Sequence, residues 1–268
     1  MKKFFALVLA LVMALTMVAC GGSKKDSDAA YIEKNDKLVV GMTIYEPMNY
    51  FDEKGNLTGF DTEFAEAVCE KLGLKAEFVE INWDTKEVEL NAKSIDCIWN
   101  GMTITEDRAA NMSISLPYVK NAQVIVVKAD SSVASTADLI GKTVVAEMGS
   151  AGEAQIEGDD ANADLAQAEY VGMNKQTDCL MEVKAGTADA AVLDWTLAMS
   201  MVGEGTDFAD LKMVEGVELA TEEYGIAFRK GSDFTAKVDE TIKALVADGT
   251  LPALAEKYGL ALAPAITG

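Results

Sequence analysis

Residues 95–118 read IDCIWNGMTITEDRAANMSISLPY, and the fold is decided by how this stretch is taken. Ile95 to Trp99 alternates and then turns apolar, as a strand covered in a sheet does, and Asn100-Gly101 ends it with turn residues. After the loop Met102-Thr103-Ile104, Thr105 stands where a helix N-cap belongs, with Glu106 and Asp107 in the first turn. Arg108 lies beside them, so a guanidinium and backbone N–H groups can face one point. That is a place for an anion, since the planar fork of arginine matches a carboxylate and unpaired helix N–H groups share its preference. Taken locally, a solvated arginine on a short surface helix fits as well.

Working outward, Leu38 to Ile44 reads as a strand that breaks at Tyr45-Glu46-Pro47-Met48. Asp52 to Asn56 is turn chemistry. A helix follows with Asp61 as the expected N-cap, apolar residues at 60, 64, 68 and 72, and Gly73 as C-cap. A strand at Ala76 to Ile81 and a helix from about Lys86 to Lys93 lead into the opening strand. Alternation of strand and helix predicts parallel pairing with helices on the sheet faces. A second series begins at Val124 to Val127, with a short helix at Thr136 to Leu139 and a strand at Thr143 to Ala146. The loop Glu147 to Gly152 reads as a weak anion-binding turn or a plain one. Further strands are expected at Tyr170-Val171 and Ala190 to Leu193, flanking a helix around Cys179 to Lys184. Asp194 ends the second of these, as an ordinary N-cap for Trp195 to Met201 or as a ligand contact at a strand's carboxyl end. Thr221 to Phe228 is extended, and helices at Asp233 to Asp248 and Leu251 to Tyr258 are split by Gly249.

Composition excludes several functions. The 268 residues carry 23 basic and 44 acidic side chains, a formal charge of −21, and no histidine. Nucleic acid is therefore not an expected partner, and a histidine triad or histidine zinc site is impossible. No cofactor and no metal are expected. Lys2-Lys3 followed by the apolar run Phe4 to Val18 is too short to span a membrane. Ending in Met17-Val18-Ala19-Cys20-Gly21, it resembles a bacterial lipoprotein signal, with Met17 where leucine is most usual. The resemblance implies a signal peptide at 1–19, lipid on Cys20 and a tether at 20–35, and so a place on the extracytoplasmic face of a bacterial membrane. Cys69, Cys97 and Cys179 remain, an odd number without metal-ligand spacing, and no obligatory disulfide is expected.

GFDTEF at residues 59–64, NGMTITEDRA at 100–109, SLPY at 115–118, and EYGIAFRKGS with DGTLPALAEKYG near the end together resemble the blocks of extracellular solute-binding proteins of family 3. These are the amino-acid receptors of ABC importers. The resemblance implies an α/β fold of the periplasmic-binding-protein type II: two α/β lobes joined by a two-segment hinge. It implies lobe 1 at 36–117 and 223–264, hinge segments at 118–122 and 218–222, lobe 2 at 123–217, and a monomer. Arg108 matches the family's carboxylate-binding arginine. Gly101 and Thr103 match positions giving backbone and hydroxyl donors to the same carboxylate, with Met102 along the ligand. Ser150 and Ala151 match the opposing lobe's carboxylate contacts, Ala151 lacking the hydroxyl often found there. Asp194 matches the acid that takes the α-ammonium, and Tyr45 the aromatic wall. Glu46 and Glu147 are expected either to meet a polar or cationic side chain or to face solvent, and Trp83 and Trp99 to lie in the core. The implied ligand is a polar amino acid, with lysine, arginine, cystine and glutamine all open, passed to an ABC permease and its ATPase. Two alternatives stand beside this: an enzyme similar to cyclohexadienyl dehydratases in the same cleft, and a ligand-sensing subunit for a signalling receptor.

Overall fold

A computed structural model describes residues 27–159, 161–217 and 219–267; the signal segment and Cys20 lie outside the described residues. The described residues open with α1 (Asp28–Lys34), capped by the Ser27 side chain and packed through Ala29 and Ile32 within the stretch expected as a tether, and β1 (Lys37–Met42). A small hairpin, β2 (Tyr50–Phe51) and β3 (Leu57–Thr58), leads to α2 (Phe60–Leu72) and β4 (Lys75–Glu80). Next come α3 (Lys86–Asn91), β5 (Cys97–Ile98), α4 (Glu106–Asn111), β6 (Met112–Ile114) and β7 (Val119–Lys128). The second part holds β8 (Thr143–Glu147), α5 (Ala151–Glu157), β9 (Glu169–Met173), α6 (Gln176–Ala185), β10 (Ala190–Asp194), α7 (Trp195–Met201) and β11 (Leu211–Met213). The chain then returns through β12 (Ala220–Tyr224) and β13 (Ala227–Arg229) to α8 (Phe234–Ala247), α9 (Thr250–Tyr258) and α10 (Pro264–Thr267).

Two open sheets result, ordered β4-β1-β5-β13-β6 and β11-β7-β10-β8-β9, with β12 also on β7. Strands joined through helices pair in parallel, β1 with β4 and β5 and β8 with β9 and β10, whereas β13 enters its sheet antiparallel. The carboxyl ends of β1, β5, β8 and β10 are followed by the loops that carry the candidate site residues, the edge of an open α/β sheet where ligands bind. Both crossings between the sheets run side by side. β7 begins at Val119, earlier than the expected Val124, and pairs antiparallel with β12, setting Asn121 opposite Glu222.

Two further expectations are corrected. The strand read at Ile95 to Trp99 is ladder-paired only at Cys97–Ile98, where it meets Val40 and Gly41. Asp61 does not cap α2. Gly59 does so at φ 118°, with the N–H groups of Phe60 and Asp61 accepted by the carbonyls of Pro47 and Met48, leaving the Asp61 side chain buried inside the first turn. A Cβ on Gly59 would meet the Met48 carbonyl oxygen at 2.3 Å, so this approach needs glycine. Trp99 is core as expected, edge-on to Phe64 at 4.9 Å, and Trp83 packs with Leu90, Ile95 and Ile98 while also bordering the cleft. Cys69, Cys97 and Cys179 are buried free thiols, each pushed above its ordinary pKa by burial.

Candidate functional site

Between the sheets lies a narrow cavity. Tyr45, Trp83, Asn100, Gly101, Thr103 and Arg108 border it from one side, and Glu147, Ser150, Ala151, Gln176 and Asp194 from the other. Arg108 is placed by its helix: the Thr105 side chain accepts the Arg108 N–H at 3.2 Å, as an N-cap should. The guanidinium donates to the Thr103 carbonyl at 2.8 Å and across the cleft to the Gly149 carbonyl at 3.0 Å, leaving its other N–H groups for an anion. Burial pulls its pKa below the ordinary value, opposed by the charges of Glu222 and Asp194. Ser150 caps α5, its oxygen accepting the Glu153 N–H at 3.1 Å. Ala151, at the first helical position, has no intrahelical carbonyl for its N–H.

Asp194 ends β10 opposite Gln123 of β7. It occupies the N-cap position of α7 but makes no capping hydrogen bond. Its Oδ1 instead accepts from Asn121 Nδ2 at 2.6 Å and Gln123 Nε2 at 2.7 Å, and its Oδ2 accepts from Gln176 Nε2. The same two amides donate to Glu222 Oε1, at 2.6 and 2.9 Å, so two buried acids share one pair of donors. Burial raises the pKa of both, and the charge of Asp194 helps push Glu222 up to about 8.

The arrangement sets a cationic fork and neutral donors at one end of an enclosed space and a buried carboxylate at the other. It is complementary to a small molecule bearing separated negative and positive groups, whose desolvation only fixed partners can offset.

A family model for bacterial extracellular solute-binding proteins, family 3, matches residues 38–261. The chain belongs to this family. It is 30% identical over 261 residues to the arginine-binding extracellular protein ArtP of Bacillus subtilis, covering 96% of this chain and 98% of that one. Among solved structures it is similar to a mutant of ArgBP from T. maritima, with 34% identity, a TM-score of 0.78, and coverage of 87% of this chain and 99% of that one. It is also similar to an ancestral amino acid-binding protein described as a precursor of cyclohexadienyl dehydratase, with 30% identity, a TM-score of 0.76, and coverage of 87% and 99%. The fold is thus that of type II periplasmic binding proteins, with two α/β lobes.

For this solute-binding chain, two residues expected at the ligand lie elsewhere. The Met102 side chain joins the apolar cluster of Leu90, Ile95, Ile98 and Met112 behind the sheet. Glu46 turns to α7, where its Oε1 accepts the Ser200 hydroxyl at 2.9 Å, a contact between the lobes. Two others border the cavity with their donors already committed. Gly101 gives its N–H to Asp61 Oδ2 at 2.7 Å, so it can present a carbonyl but not the expected amide. Thr103 donates its hydroxyl to Glu222 Oε1 at 2.9 Å rather than toward a carboxylate. The hydroxyl of Tyr45 bonds those of Thr196 and Tyr224, the latter at 2.5 Å, joining residues from both sides of the cleft.

Residues overlooked in the sequence are Asn100 and Gln176 on the wall, and Glu222, Asn121 and Gln123, which bond to Asp194 and Thr103. The alternation Asn121, Gln123 inside an apolar strand was the available signal, since buried amides need partners. Asp61 is a further positioning residue, accepting Gly101 N–H and, at 2.9 Å, Tyr118 O–H. Burial pushes its carboxyl from 3.8 up to about 7, against those hydrogen bonds. Between about pH 4 and about pH 7 the folded chain holds a proton that the unfolded chain has released, so this group's contribution to stability falls as pH rises. Asp61→Asn should remove that component: its melting temperature relative to wild type rises across this window and levels off above it. A difference constant with pH would contradict a raised Asp61.

Proposed function

We propose that this chain is an extracytoplasmic receptor that binds a polar amino acid between its lobes and delivers it to an ABC permease driven by its ATPase. In this reading the α-carboxylate meets Arg108 with Ser150 and Ala151, and the α-ammonium meets Asp194. The observation that carries it is the approach of Arg108 and Asp194 to one cavity from opposite lobes. Closing the lobes then completes the clamp, and ligand shifts the closing equilibrium through contacts it makes better in the closed form. The proposed hinge segments, 118–122 and 218–222, are supported by the antiparallel pairing of β7 with β12, in which Asn121 lies opposite Glu222. The lobes they join would be 36–117 with 223–264, and 123–217. Names of relatives that bind arginine, cystine and histidine support the ligand class, and support binding rather than catalysis. The proposed monomer is held at the membrane by lipid on Cys20 after removal of residues 1–19.

Mass spectrometry of ligand retained through native purification, followed by a thermal-shift panel of amino acids on stripped protein, tests the reading. Free ligand at 100 times its Kd should add about 2.7 kcal/mol of stability. No shift with any amino acid would sink it, and turnover of prephenate would point to the enzyme.

A further inference from the structure

Glu147 ends β8 at the cavity wall, 3% exposed, and its Oε1 has no hydrogen-bond partner among the described residues. A buried carboxylate oxygen without a donor is costly and calls for one from a bound molecule. The neighbouring cation does not supply it: Lys86 Nζ donates to the carbonyls of Trp83 at 3.1 Å and Gly149 at 2.8 Å. Burial pushes the Glu147 carboxyl up to about 8 even with Lys86 nearby, and a cationic donor from the ligand is the partner that favours its ionised form. Trp83 also borders the cavity, with the Lys86 ammonium already over its ring at 5.0 Å, so this wall tolerates a cation.

We infer that the ligand's side chain is a monocation, a guanidinium or ammonium, recognised by Glu147 with Trp83 as its wall. This rests on the amino-acid receptor reading and adds the substrate class to it. Gln176, the other polar wall residue near Asp194, is occupied in both directions, donating to Asp194 Oδ2 and accepting the Asp194 N–H at 3.0 Å. It therefore leaves Glu147 as the acceptor for the side chain.

Isothermal titration of stripped protein with arginine, lysine, citrulline and glutamine decides this. Citrulline keeps the shape of arginine and lacks its charge. Arginine or lysine should bind about 30-fold or more tightly than citrulline and glutamine, the lower end of what a buried charge contact contributes. In Glu147→Gln, checked for folding by circular dichroism and thermal melting, affinity for the cationic ligand should fall by a similar factor, bringing its ratio to citrulline within a few-fold of one. Equal or tighter binding of a neutral amino acid by wild type, or an unchanged ratio in Glu147→Gln, overturns the inference while leaving the receptor reading intact. Binding of no α-amino acid at all overturns both.

Discussion

Arg108→Ala should weaken amino-acid binding by about 2–5 kcal/mol, the usual cost of truncating one partner of a buried, hydrogen-bonded charge pair. The guanidinium is 8% exposed and its position is set twice over, by the Thr105 cap on its helix and by its bond to the Thr103 carbonyl. Among the described residues, its remaining N–H groups would provide the only full positive charge bordering the cavity directly. Removing it leaves a ligand carboxylate desolvated against a hydroxyl and one backbone N–H, which cannot replace a charged fork. Arg108→Lys should recover only part of the loss, because an ammonium is a point charge without the bidentate geometry. Titration calorimetry reads both. Near-normal affinity in Arg108→Ala would remove the carboxylate assignment and with it the orientation of the ligand.

Arg229→Ala should destabilise the fold by about 3–5 kcal/mol, through a different buried cation. Arg229 lies on β13 and ties α1 to α3 and to the segment that leads into β5. Its Nε donates to Asp28 at 2.6 Å, its Nη2 to Asp96 at 3.0 Å, and its Nη1 to the Ile95 carbonyl at 2.8 Å and, more weakly, to that of Leu90 at 3.4 Å. Asp96 in turn accepts the Val39 N–H, and Asp28 accepts the Ser232 hydroxyl. Alanine would leave two carboxylates with little solvent and no cation. Urea unfolding of the stripped variant should show a lower midpoint with an unchanged slope. Combining Arg229→Ala with Asp96→Asn should cost less than the two single effects added together, as expected for a coupled pair. A loss within about 0.5 kcal/mol, the range of ordinary surface substitutions, would contradict the network.

The elements were the most legible part. Apolar runs at Leu38, Val144 and Ala190 and left-handed glycines such as Gly73 follow from local preferences, and they appear where expected. So does the Thr105 cap, which needs only a hydroxyl three residues before the N–H it accepts. The site was legible as a set of positions, less so as a set of hydrogen bonds. Met102 sits between two cavity residues yet faces the core. Neighbours in an irregular loop follow no period, and Gly101 in front of it adopts φ 56°. Glu46 could not be aimed from sequence because its partner, Ser200, lies 154 residues away.

By itself the sequence determined the alternating α/β framework and the Thr105 cap that sets Arg108, since each depends on residue type and short spacing. The clamp of Arg108 with Asp194 was implied by the family resemblance and stands as a proposal. Only the tertiary structure decided which polar groups are already satisfied. The Gly101 amide goes to Asp61, 40 residues away, the Thr103 hydroxyl goes to Glu222, 119 residues away, and one oxygen of Glu147 has no partner among the described residues. A hydrogen bond is set by distance and angle between groups that the chain brings together only on folding.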